Sequence, residues 1–181
     1  MLPVPRPGLD VVLLDAGPLL THLALHYLQK TGAEKARRDA VLRDVRPDSE
    51  VLFAETEQER LGILLDRFKR LLTTPHVVAE VLKLRGHSML SRDERRFREL
   101  SLELLTSERM EEVPCPLREV CADPDCRDLI CRFGLSDAGL IYVATRERCL
   151  LLTDDGRMFG AYTSGAEFEI SLLDDCLRPA E

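Results

Sequence analysis

Val11-Val12-Leu13-Leu14-Asp15 is the stretch that decides the fold. Four consecutive apolar residues, two of them β-branched, offer no polar face, so the run reads as a strand covered on both sides by helices. It ends abruptly on a carboxylate. Cys149-Leu150-Leu151-Leu152-Thr153 repeats the pattern and runs into Asp154-Asp155. Sites in open parallel sheets form beyond the carboxyl ends of the strands, so if these two strands are neighbours, their terminal acids meet.

Helical segments separate the strands. Residues 16–30 have helical composition and stop before Thr31-Gly32, and the spacing of Leu61, Leu64, Leu65 and Phe68 predicts a helix over 57–71. A brief strand over 71–73 leads into a helix capped by Thr74 with Pro75 in its first turn. A charged helix over 92–107, a short strand over 110–113, a helix from about Asp125 and a helix capped by Ser136 and running through Thr145 follow. After the strand 149–153 come a short helix over 155–162 and a last strand over 168–172. Strands alternating with helices imply an α/β fold of three layers, α/β/α, around a central, mainly parallel sheet. At 181 residues the chain fits one domain, with a proline-rich tail over 1–9 and a polar stretch over 31–56 that reads as a surface insertion.

A net charge of −7 argues against a protein that grips nucleic acid over a broad face; a polyanionic substrate would be held locally. No apolar run approaches the roughly 20 residues needed to cross a bilayer. The opening residues lack an apolar stretch of signal-peptide length, so the expected setting is the cytoplasm, away from membranes, with all six cysteines reduced. Cys115, Cys121, Cys126 and Cys131 lack the paired spacing of a zinc ribbon and read as buried or incidental thiols. His22 and His26 stand four apart with no accompanying Glu, and read as helix surface or packing.

Two further acids sit on apolar helical stripes. Val77, Val81 and Leu84 share the face of Glu80, and Leu140, Ile141 and Ala144 share that of Asp137. A carboxylate aimed into an apolar face is costly unless something pairs with it. Each acid also has an ordinary reading: Asp15 caps the next helix, Asp137 complements a helix dipole, and Asp154-Asp155-Gly156 makes a turn. Together they admit a sharper one. Carboxylates gathered at one sheet end have raised pKa values unless a cation neutralises them, and hard oxygen donors select magnesium or manganese. Such an ion activates water for in-line cleavage of a phosphodiester.

In order along the chain, Val11-Val12-Leu13-Leu14-Asp15-Ala16-Gly17, Thr73-Thr74-Pro75-His76-Val77-Val78-Ala79-Glu80, Leu135-Ser136-Asp137-Ala138 and Leu151-Leu152-Thr153-Asp154-Asp155 resemble the motifs of the PIN-domain family. The resemblance extends from residue 11 to about 172. It implies the three-layer fold and magnesium- or manganese-dependent cleavage of single-stranded RNA. On it, Asp15, Glu80 and Asp137 are successive metal ligands, Asp155 is the fourth acid, Asp154 is an auxiliary ligand and Thr153 orients the last acid. Arg85 and His87, shortly after Glu80, are candidate phosphate contacts. The basic residues from Arg92 to Arg98 are interleaved with Asp93, Glu94 and Glu99, which favours a salt-bridged helix face.

The family includes the toxins of toxin-antitoxin pairs, so the implied partners are RNA and an antitoxin-like protein or a second copy of the chain. This sequence is longer than the compact toxins, through 31–56 and 114–132, and carries Gly17 where a hydroxyl or amide side chain is common. These departures support an alternative: a catalytically weak or silent PIN fold serving as a binding or scaffolding module. A phosphatase reading is disfavoured because the first motif lacks the second Asp of an Asp-x-Asp loop.

Overall fold

The computed structural model describes residues 9–47, 55–83, 92–162 and 168–177. At its centre lies β1 (Val11–Leu14), with Val12, Leu13 and Leu14 buried. It pairs in parallel with β2 (Arg70–Thr73) on one side and β4 (Leu150–Thr153) on the other. β3 (Met110–Glu112) and β5 (Glu169–Leu172) add parallel strands outside these, giving the order β3-β2-β1-β4-β5. Helices sandwich this all-parallel sheet in three layers. The order reverses between β1 and β4, and there the connections leave toward opposite sides and open a crevice.

The helices follow the apolar spacing closely, with instructive exceptions. α1 (Ala16–Thr31) ends on Gly32, whose φ of 60° is the left-handed cap that glycine adopts without strain. α3 (Glu55–Leu65) is shorter than its apolar spacing suggests, since Arg70 already belongs to β2. α4 (Pro75–Val81) begins as expected, with the Thr74 hydroxyl accepting from the Val77 amide. α5 (Glu94–Leu105) carries the ion pairs Arg95–Glu99, Arg96–Glu99 and Arg98–Glu94 on its solvent side. It turns Phe97 and Leu100 into the core.

Three expectations change. Part of the 31–56 stretch is not a surface excursion: α2 (Lys35–Val45) buries Val41, Leu42 and Val45 in the core, a stripe too short to stand out among the charges around it. Residues 48–54 of that stretch lie outside the described residues. The cysteine-bearing region forms two helices, α6 (Leu117–Ala122) and α7 (Pro124–Phe133), separated by Asp123, whose carboxylate accepts from the Asp125 and Cys126 amides. Finally, α8 (Leu135–Glu147) starts from Gly134, at φ 103°, and takes Ser136 into its first turn. α9 (Gly156–Tyr162) and α10 (Leu173–Leu177) complete the described elements, and all six cysteines are free thiols. Among the described residues no helix is long and apolar enough to cross a membrane.

Candidate functional site

Asp15 occupies the reversal point of the sheet. It follows directly on β1, and its amide donates to the Leu152 carbonyl at 3.0 Å, which ties it to the end of β4. Its carboxylate has two partners: Oδ1 accepts from the Ala16 amide at 2.6 Å, and Oδ2 accepts from the Thr153 hydroxyl at 2.6 Å. Thr153 is wholly buried, and its hydroxyl in turn accepts from the Asp155 amide at 2.9 Å. One hydroxyl thus links the first acid to the last. The expectation that Thr153 orients the last acid is thereby refined: it grips the Asp15 side chain and holds only the backbone of Asp155.

Asp137, in the first turn of α8, is half-buried above Leu140 and Ile141. Burial pushes its carboxyl up to about 6, and the charges of Asp15, Asp155 and Glu80 push it in the same direction against the opposing pull of Arg157. Asp15 is raised as well, first by burial and then by Glu80 and Asp155, although its bonds from Thr153 and Ala16 work the other way. Asp137 therefore feels the charges of Asp15 and Glu80, and Asp15 that of Glu80, although the three stand on different elements. Among the described residues none of the three makes an ion pair.

Glu80 departs from its expected setting. Val77 and Val81 are buried as anticipated, but α4 stops at Val81 and leaves Glu80 exposed at the rim of a cavity of about 390 Å³. Ala16, Gly17, Leu20, Val45, Val81 and Lys83 form the rest of its lining. Glu80 stands with exposed His76 and Ala79 on the solvent side of α4, so the cost of burying its carboxylate is avoided by exposure rather than by pairing.

The pair after β4 divides. Asp155 caps α9: its Oδ1 accepts from the amides of Arg157 at 2.8 Å and Met158 at 3.4 Å, and its Oδ2 accepts from the Arg157 guanidinium at 2.9 Å. Those bonds hold its carboxyl below the usual range. Asp154 points elsewhere, to Arg46 at 2.8 Å, yet burial still pushes its carboxyl up to about 6. Arg85 and His87 lie outside the described residues.

Arg46, Asp174 and Arg157 escaped the sequence reading. Arg157 was the most accessible of them, because an Asp two residues before an Arg at a helix start is a common cap-and-pair arrangement.

Among the described residues, no three His, Cys, Asp or Glu side chains stand together as a ready-made ligand set for a metal ion. The acids are neighbours in charge, not a closed shell. In donor chemistry they suit a hard divalent cation: oxygen donors only, two of them with carboxyls raised by burial and by neighbouring acids, and three without ion pairs among the described residues.

No family model matches the chain, and no curated protein matches it. Among solved structures it is similar to the crystal structure of VapBC2 from Rickettsia felis bound to a DNA fragment from their promoter. The identity is 12%, the TM-score is 0.49, and 90% of this chain and 98% of that chain are covered.

Proposed function

We propose that the chain is a magnesium- or manganese-dependent nuclease of the PIN type that hydrolyses phosphodiester bonds of single-stranded RNA. What supports this reading is that the charges of Asp15 and Glu80, on β1 and α4, raise the carboxyl of half-buried Asp137 on α8, and that Glu80 lines one cavity with Ala16 and Gly17, next to Asp15. A fold gains nothing from assembling mutually repelling carboxylates, and a site does.

On this reading Asp15, Glu80 and Asp137 hold the cation, with Asp155 at the edge of the set and Asp154 outside it. A divalent ion bound there supplies Lewis acidity toward a phosphoryl oxygen and an acidified water. The protein supplies position. Thr153 fixes the Asp15 carboxylate, the first turn of α8 carries Asp137, and exposed Glu80 lines the cavity through which a strand would enter. RNA as substrate, an antitoxin-like protein or a second copy as partner, and a cytoplasmic setting belong to the same proposal.

The test is cleavage of single-stranded RNA with added manganese by wild type, Asp15→Asn and Asp137→Asn. Activity in the wild type and its loss in both variants is expected; equal activity in all three rejects the assignment. The scaffold reading draws its support from Asp155, which is engaged by Arg157, and from the open arrangement of the acids. Titration calorimetry separates the two, since a silent scaffold takes up no manganese.

A further inference from the structure

The polar segment before residue 48 ends in a buried cation. α2 finishes at Val45, and Arg46, its C-cap, turns inward until its side chain is only 6% exposed. Its guanidinium bridges carboxylates from two elements: Nη1 donates to Asp154 Oδ2 at 2.8 Å, and Nη2 to Asp174 Oδ1 at 2.5 Å. Asp154 follows β4 and Asp174 lies in the first turn of α10. A planar fork spans two acids in this way, whereas an ammonium offers a single point of charge.

The far side of Asp154 is equally constrained. A Cβ placed on Gly17 would overlap Asp154 Oδ2, well inside van der Waals contact. Gly17 has ordinary helical backbone, so what this position requires of glycine is space, not conformational freedom. The Asp154 carboxylate thus occupies the volume that a side chain on the first turn of α1 would fill. Arg46 holds it there.

The end of α2 also borders the candidate site. Gly17 and Val45 line both the cavity beside Glu80 and a second of about 350 Å³ lined by Arg46, Pro47, Asp154, Leu172 and Asp174. Seating Arg46 therefore seats the wall that the two cavities share.

We infer that Arg46 is a positioning residue: by clamping Asp154 into the gap at Gly17 it keeps that carboxylate out of the Asp15, Glu80 and Asp137 set and fixes the end of α2 as a wall of the cleft beside Glu80. The nuclease reading is needed only for the catalytic consequence of this clamp.

Four single substitutions and one double variant test it by amide hydrogen exchange, manganese calorimetry and RNA cleavage. Arg46→Met keeps the apolar stem and removes the fork. Exchange across residues 41–46 should then rise at least about tenfold while β1 and β4 stay protected. Manganese affinity should increase on the order of fivefold, because a nearby positive charge is gone and Asp154 is released toward the acids. KM for RNA should rise with kcat changed less. Tighter metal with weaker substrate is a combination that general loosening does not produce.

Arg46→Lys restores the charge without the bridge, so metal affinity should return to near wild type while exchange stays fast. Gly17→Ala should reproduce the exchange pattern of Arg46→Met, and Gly17→Ala combined with Asp154→Ala should be no worse than Asp154→Ala alone, because the collision has been removed. Unchanged exchange over 41–46 in Arg46→Met, a fall in metal affinity, or additive losses for Gly17→Ala and Asp154→Ala overturns the inference. If the wild type cleaves no RNA, the nuclease reading falls, and exchange in Arg46→Met and in the Gly17→Ala, Asp154→Ala double variant still decides the clamp.

Discussion

The carboxylates at the end of this sheet fall into two groups that differ in how their charge is met. Asp15, Glu80 and Asp137 have no ion pair among the described residues, and the first two raise the carboxyl of the third. On the flank, Asp154 and Asp174 share Arg46, and Asp155 is held by Arg157 and the start of α9. Compensated acids serve the fold, because their pairing is complete without a ligand. Uncompensated ones leave a charge for something else to neutralise.

The largest expected effects come from erasing the first group. Asp15→Asn and Asp137→Asn should each lower manganese-dependent RNA cleavage by at least about 100-fold while the fold persists, checked by single-turnover rates and circular dichroism. Thr153→Val removes the buried hydroxyl that grips Asp15 at nearly constant shape. It should destabilise the protein by about 1–2 kcal/mol in urea unfolding and move the acid limb of the activity profile to higher pH, since that bond holds the Asp15 carboxyl down.

Asp137 gives a comparison whose sign depends on pH. Its carboxyl rises from 3.8 to about 6 in the folded protein, so the stability it contributes is full below about pH 4 and is lost as pH rises through about 6. Without metal, Asp137→Asn should therefore match wild type below about pH 4. Above about pH 6 it should be more stable by about 1 kcal/mol, after allowing for solvent screening at a half-buried site. Saturating manganese should abolish that advantage. A variant less stable than wild type at pH 7 without metal would place Asp137 among the compensated acids.

On the flank, the effects should be structural and small. Asp155→Ala loses the cap of α9 and should cost about 1 kcal/mol. Arg157→Ala leaves that cap in place and removes only an exposed partner, so it should change stability by less than about 0.5 kcal/mol. If Arg157→Ala instead raises manganese affinity severalfold, Asp155 moves to the uncompensated group.

Much of the architecture was legible in the residues. The apolar runs before Asp15 and Asp154 required strands buried on both faces, Thr74-Pro75 announced the start of α4, and Gly32 marked the end of α1. Ser136 misled because a hydroxyl before an apolar stripe signals a cap, whereas Gly134, at a φ that side chains avoid, had already made the turn. Glu80 misled because its helical face predicted burial, whereas it stands on the solvent side of α4.

What local sequence determined is periodicity and chain order: which stretches are strands, which faces are apolar, and which acids stand at strand ends. Hydrophobic spacing is a short-range property, so one chain displays it without any partner. Charge compensation was decided only in three dimensions. Arg46 meets Asp154 across 108 positions and Asp174 across 128, and Gly17 matters because of a carboxylate brought to it by a different strand. Whether an acid is paired or exposed depends on distances that folding alone creates, and Coulomb energy falls with those distances rather than with separation along the chain.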